Sequence, residues 1–192
     1  MRAITFDLPR RARRAAIAQW LLSLLAVLAW PTAARSAGPP AVGQPAPALI
    51  ARTFDGRTID IATLRGKLIV LNFWASWCGP CRSEMPSLDA LARDYRDRGV
   101  VVVGLSADDP HDRKDALAAA RSLSYQTGML SEATTNGFAD PPVLPLTYII
   151  GVDGKVLQVL LANRGPLSAT QLRAAVEAHL LRDAGTAGNA GR

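Results

Sequence analysis

Leu68-Ile69-Val70-Leu71-Asn72-Phe73-Trp74-Ala75-Ser76-Trp77-Cys78-Gly79-Pro80-Cys81-Arg82-Ser83-Glu84-Met85-Pro86 is the stretch on which the reading of this chain turns. Residues 68–73, after Gly66-Lys67, form an apolar run of the length of a buried strand. From about residue 80 to 98, Met85, Leu88, Leu91, Ala92 and Tyr95 recur at helical spacing, and Arg93, Arg96, Asp97 and Arg98 mark a solvated end. Residues 100–105 read as a second buried strand. Strand, helix and strand of this size predict a right-handed parallel βαβ unit, with the cysteines where the first strand becomes the helix.

Cys78 and Cys81 are the only two cysteines in 192 residues, which excludes a staple between distant segments. A bridge closing so short a loop stabilises little. At the start of a helix, Cys78 meets the free N–H groups and positive dipole end that favour a thiolate. Cys81, one turn inside, can then attack a mixed disulfide, and these two roles together are dithiol-disulfide exchange. Pro80 suits a first helical turn, where its missing N–H is not needed. An inert structural disulfide is the alternative. Covalent haem attachment would need His where Arg82 stands, and zinc would need two more ligands. The only histidines, His111 and His179, have no ligand spacing and are expected on the surface of a loop and a helix. No metal or other cofactor is expected.

The net charge is +6, with a pI near 10.0, and most of that charge sits at one end. Residues 1–37 hold six arginines, Arg2, Arg10, Arg11, Arg13, Arg14 and Arg35, against Asp7 alone. The remainder, with 16 basic and 15 acidic side chains, is nearly neutral, and nucleic-acid binding loses its electrostatic support. The order basic, apolar (residues 15–30) and small (Thr32-Ala33-Ala34) reads as an export signal cut after Ala34 or Ser36, or as an uncleaved membrane anchor. A generic basic start explains the paired arginines better than a twin-arginine signal. A buried core helix fits residues 15–30 poorly because they lack a polar face.

Four prolines and two glycines in residues 38–47 make a linker, and Asp55-Gly56 a turn between short extended pieces. Residues 112–123 are predicted helical, 126–130 a strand and 131–144 irregular. Residues 146–150 and 156–161 flank Asp153-Gly154, a hairpin signal. Ser168 with Gln171 caps a last helix whose buried stripe is Leu172, Val176 and Leu180. Residues 184–192 are expected to be a disordered tail.

Residues 72–86 together resemble the active-site segment of the thioredoxin superfamily, and most closely that of its exported TlpA/ResA-like thiol-disulfide oxidoreductases. Gly43 with Pro47, Asp55-Gly56, Gly66-Lys67, Pro145 before a strand, and Asp153-Gly154 extend the likeness over about residues 42–181. It implies an α/β thioredoxin-like fold for residues 38–183, a central mixed β-sheet with helices on both faces. It also implies that Cys78 attacks substrate disulfides and Cys81 resolves them. In Leu144-Pro145-Leu146-Thr147-Tyr148, Pro145 is the implied cis-proline facing the disulfide, preferred to Pro141 and Pro142, and it exposes the Leu144 backbone for pairing with substrate. Leu144 departs from the Thr common in thioredoxins. Trp77, Gly79 and Pro80 complete the implied docking surface, while Trp74 packs.

Asn72 stands where thioredoxin has a buried Asp that moves protons at the second cysteine, and an amide cannot titrate. Glu84, three residues after Cys81, matches an acid that ResA-like members place near the active site, and is the candidate proton acceptor for Cys81. The other reading of Glu84 is a solvated charge in a first helical turn. Pro86 resembles the family's helix-kinking proline. The dipeptide in CGPC is thioredoxin's, and thioredoxin sits at about −270 mV, which implies a reductant. Implied partners are protein disulfides, apocytochrome c cysteines among them, and a membrane electron-relay protein as electron donor in a periplasm. Membrane contact follows only if the N-terminal segment stays uncleaved. A periplasmic oxidant and a redox-inert interaction module of the same fold are the alternatives.

Overall fold

A computed structural model describes residues 39–161 and 165–189, with side chains as far as Arg182. The export segment expected in residues 1–37 lies outside the described residues. Among the described residues no helix is long and apolar enough to cross a membrane.

Strand β3 (Leu68–Trp74) is buried at all seven positions, as its unbroken apolar run predicts for a strand covered on both faces. It pairs in parallel with β4 (Val100–Ser106) and antiparallel with β7 (Leu146–Ile150). β5 (Gln126–Met129) extends the parallel side, and β8 (Val156–Leu161) the antiparallel side, in the order β5-β4-β3-β7-β8. Helix α1 (Gly79–Asp94) connects β3 to β4, and α2 (Arg113–Ala120) connects β4 to β5. α3 (Ala169–Asn189) follows β8. A small antiparallel sheet joins β1 (Leu49–Arg52), β2 (Thr58–Asp60) and β6 (Thr135–Asn136) in the order β2-β1-β6, with the Asp55-Gly56 turn between its first two strands.

Alternation along β3 divides the core. Leu68 and Val70 pack with Leu88 and Leu91 of α1 and with Leu172 and Val176 of α3. Ile69, Leu71 and Phe73 pack on the other side with Leu49, Ala51, Phe138 and Tyr148. Among the described residues, no α-helical residue enters that second cluster. Its cover is the small sheet with two short 3-10 helices, Ile61–Leu64 and Leu130–Glu132, so the helices expected on this face are single 3-10 turns.

Helix ends differ from their sequence limits for local reasons. α1 stops at Asp94, and a 3-10 turn, Arg96–Arg98, carries the chain to Gly99, whose φ of 77° reverses it into β4. The helix expected from residue 112 begins as a 3-10 turn, Pro110–Asp112, and ends at Ala120. Ser168 and Gln171 form the expected reciprocal cap: the Ser168 hydroxyl accepts from the Gln171 N–H at 3.2 Å, and Gln171 Oε1 accepts from the Ser168 N–H at 2.9 Å. The α3 backbone continues to Asn189, past residue 184, where a disordered tail is expected.

Gly128 of β5 lies against β1. A Cβ there would stand 2.1 Å from the Arg52 carbonyl oxygen, whereas one on Gly79 would meet nothing within 4 Å. Gly128→Ala should therefore destabilise the protein by about 1–3 kcal/mol, read as a lower urea midpoint. Gly79→Ala should stay within about 0.5 kcal/mol of the parent. Equal midpoints for the two variants would refute the close β1–β5 contact.

Candidate active site

β3 ends at Trp74, and the chain must turn before α1 can begin. The Cys78 N–H donates to the Ala75 carbonyl at 3.1 Å, closing the turn. Cys78 has extended backbone angles (φ −82°, ψ 103°) and is the N-cap of α1. Its Sγ accepts from the Cys81 N–H at 3.2 Å, so a free N–H of the helix start is directed at sulfur. Pro80 occupies the first turn. Cys78 and Cys81 are joined as a disulfide with Cα atoms 5.3 Å apart, and they are 6% and 2% exposed. Gly79 and Pro80 are exposed beside them, and Trp77 projects with 67% of its surface open. Trp74 is fully buried.

The cis peptide bond falls at Leu144–Pro145, the proline chosen from the sequence. Pro145 is buried, and Leu144 packs against the cluster that contains both cysteines, Trp74 and Met85. Trp77 and Leu144 line one groove of about 410 Å³. The structure thus gathers Trp77, the two cysteines and Leu144 at one end of the central sheet.

Glu84 is not a solvated charge. It is 1% exposed and points inward from α1. Its Oε2 accepts from the Leu167 N–H at 3.1 Å. Asn72 Nδ2 lies 3.5 Å from its Oε1 and donates to Thr147 Oγ1 at 2.9 Å. Burial pushes the Glu84 carboxyl above its ordinary value, outweighing the opposite pull of the Leu167 N–H and the Thr147 hydroxyl. Three residues apart on one helix, Glu84 and Cys81 lie on neighbouring positions of the same face. An ionisable acid is therefore buried one helical turn from the second cysteine, and neutral Asn72 lines the space around it.

Sequence reading missed two acids. Asp108, 2% exposed, accepts from the Ser76 N–H at 2.8 Å, from the Ser76 hydroxyl at 2.6 Å, and from the Ser106 hydroxyl. It clamps the turn before Cys78 to the end of β4, helped by the Ala107 N–H donating to the Trp74 carbonyl at 2.7 Å. Its position just past the carboxyl end of a parallel strand, where α/β folds place their sites, is the signal that could have found it. Asp89 on α1 accepts from the N–H and hydroxyl of Ser124 at 2.6 and 2.7 Å and pairs with Arg93. Burial alone would raise its carboxyl, but these partners hold it below the ordinary value. His179, expected on the surface, is 7% exposed with Nε2 3.3 Å from Gln158 Oε1. His111 is exposed as expected. It stands with Asp109 and Asp112, their ligand atoms within 4.8 Å of one another, a grouping that the sequence spacing did not suggest.

A central mixed sheet whose middle strand runs into a Cys-x-x-Cys helix start defines a thioredoxin-fold thiol-disulfide oxidoreductase. The chain belongs to the AhpC/TSA family, which matches residues 42–159. It is 28% identical over 123 residues to the thiol-disulfide oxidoreductase ResA of Bacillus cereus, covering 64% of this chain and 71% of that one. It is 32% identical over 119 residues to the thioredoxin-like protein YneN of Bacillus subtilis, covering 61% and 69%. Among solved structures it is similar to a thiol:disulfide interchange protein of the thioredoxin family from Chlorobium tepidum, with a TM-score of 0.59 at 29% identity over 73% of this chain and 98% of that one. It is also similar to a secreted Mycobacterium tuberculosis disulfide oxidoreductase homologous to E. coli DsbE, with a TM-score of 0.58 at 26% identity over 67% and 94%.

The Glu84 environment makes stability depend on pH in a defined direction. Its pKa in the folded protein lies above 4.5, so the folded state holds this proton more tightly than the unfolded chain. The contribution is fully present below the unfolded pKa and is lost as pH rises through the folded one. Glu84→Gln keeps an acceptor for the Leu167 N–H without the charge. Thermal unfolding should show the Gln variant gaining Tm relative to the parent as pH rises above 4.5. A Tm difference constant between pH 4 and 8 would contradict the buried, raised carboxyl.

Proposed function

We propose that this protein is an exported reductant of protein disulfides. The observation that carries the reading is Cys78 capping α1, with Cys81 one turn inside, next to the exposed Trp77. The Cys78 thiolate attacks a substrate disulfide, forming a mixed disulfide and releasing one substrate thiolate. Cys81 loses its proton and attacks Cys78 Sγ, so the Cys78–Cys81 disulfide forms and the second substrate thiolate leaves. Two electrons pass from protein to substrate. Glu84 is the acceptor of the Cys81 proton, supported by its burial one turn away and by its raised pKa.

Trp77, Gly79, Pro80, Leu144 and Pro145 form the docking surface in this reading, with the Leu144 backbone free to pair with an extended client segment. Export is supported by the basic, apolar and small order of residues 1–37, and by likeness to a solved structure described as secreted. Reduction is supported by the Gly79-Pro80 dipeptide. In an oxidising periplasm a reductant must be recharged, which calls for a membrane electron-relay protein. Apocytochrome c cysteines are a fitting client.

Cys78→Ser should abolish insulin-disulfide reduction, while Cys81→Ser should accumulate a mixed disulfide at Cys78 that mass spectrometry detects. Turnover by Cys81→Ser at the parent rate with nothing trapped would exclude the two-step route. A measured potential near thioredoxin's, about −270 mV, supports the reducing direction, and one near about −120 mV would make the protein an oxidant.

A further inference from the structure

Two depressions flank Trp77, and they differ in charge. One runs between α1 and α2 and carries a side chain of each sign, Arg82 and Asp115. The other is the groove shared with Leu144. Among the described residues that line it, the ionisable side chains are Asp108, Asp109 and Asp140, with no lysine, arginine or histidine. Asp108 is buried in its clamp on Ser76, whereas Asp109 and Asp140 are exposed. Of the two nearest basic side chains along the chain, Arg113 is engaged elsewhere and His111 stands beside Asp109 and Asp112. Arg113 pairs with Glu132 at 2.6 Å and lies over the Phe54 ring, and His111 faces Asp112 at 3.3 Å. Apart from Ser131 the remaining wall is apolar and open to a partner, with Trp77 67% and Val143 44% exposed.

From this we infer that the groove selects client segments carrying lysine or arginine beside the target cysteine. The inference rests on the disulfide-exchange reading above and adds the class of substrate. A basic side chain extended along the groove meets Asp109 or Asp140 at its rim, while its stem and neighbours cover Trp77 and Val143. An acidic segment meets only like charge there, which disfavours the wrong partner as much as it favours the right one. The depression holding Arg82 and Asp115 offers no such bias.

The test uses the reduced full-length protein and three synthetic disulfide-bonded peptides, identical except for two flanking lysines, glutamates or serines. Single-turnover reduction rates are measured at low salt, each relative to the serine peptide. The lysine-to-glutamate rate ratio should be about 3- to 10-fold larger for the parent than for Asp109→Asn/Asp140→Asn, the size expected of two exposed charges. Asp115→Asn should keep the parent ratio, and added salt should shrink it. An identical ratio in the parent and the double variant, with all peptides reduced, overturns this inference alone. Failure to reduce any of the three, the serine peptide included, overturns the exchange reading and this inference with it.

Discussion

Strand β3 is hydrogen-bonded on both edges and covered on both faces, so the chain leaving it at Trp74 has little freedom in where it goes next. Its edges are held by β4 and β7, and α1 must lie across Leu68 and Val70 to bury Leu88 and Leu91. The turn between them is fixed from below by Asp108, which takes both the N–H and the hydroxyl of Ser76. Helix α1 therefore starts with Cys78 as its cap, and the chemistry of the sulfur follows from that placement. Moving the helix start by one residue would direct the free N–H groups at Trp77 or Gly79.

The same helix carries two acids inward, and each is tolerated because its oxygens are occupied. Asp89 takes two bonds from Ser124 and a pair from Arg93, and its charge is favoured. Glu84 takes one bond from Leu167 and lies beside Asn72, which satisfies it less fully, and its proton is held more tightly. Burial is common to both, and the number and charge of the partners decide the direction. One carboxylate is thus left charged, while the other, one helical turn from Cys81, holds its proton more tightly.

Elements set by local pattern were legible in the sequence. The run at residues 68–73, the helical spacing from Met85 to Tyr95, the Asp153-Gly154 hairpin and the Ser168 cap all rest on neighbours within a few positions. The cysteine pair and Pro145 were legible because their motif is local too. What stayed hidden depends on partners far along the chain. Glu84 is buried by Leu167, 83 positions away, and Asp108 by Ser76, 32 positions away. Glu84, six residues into α1 and beyond its first turn, looks solvated until the approach to α3 covers it. His179 was likewise placed outside because its contact with Gln158 depends on how α3 meets β8. The small sheet over the second face was obscure for a related reason, since β6 is two residues long and carries no periodicity.

In the proposed reading the start of α1 makes the two thiols unequal, with Cys78 the acidic nucleophile. Alkylation of the reduced protein across a range of pH, with each site followed by peptide mass spectrometry, measures this directly. Cys78 should label first, and its pKa should fall below the value of about 8.5 for a free cysteine, with Cys81 above Cys78. Faster labelling of Cys81, or equal pKa values for the two thiols, would contradict the account.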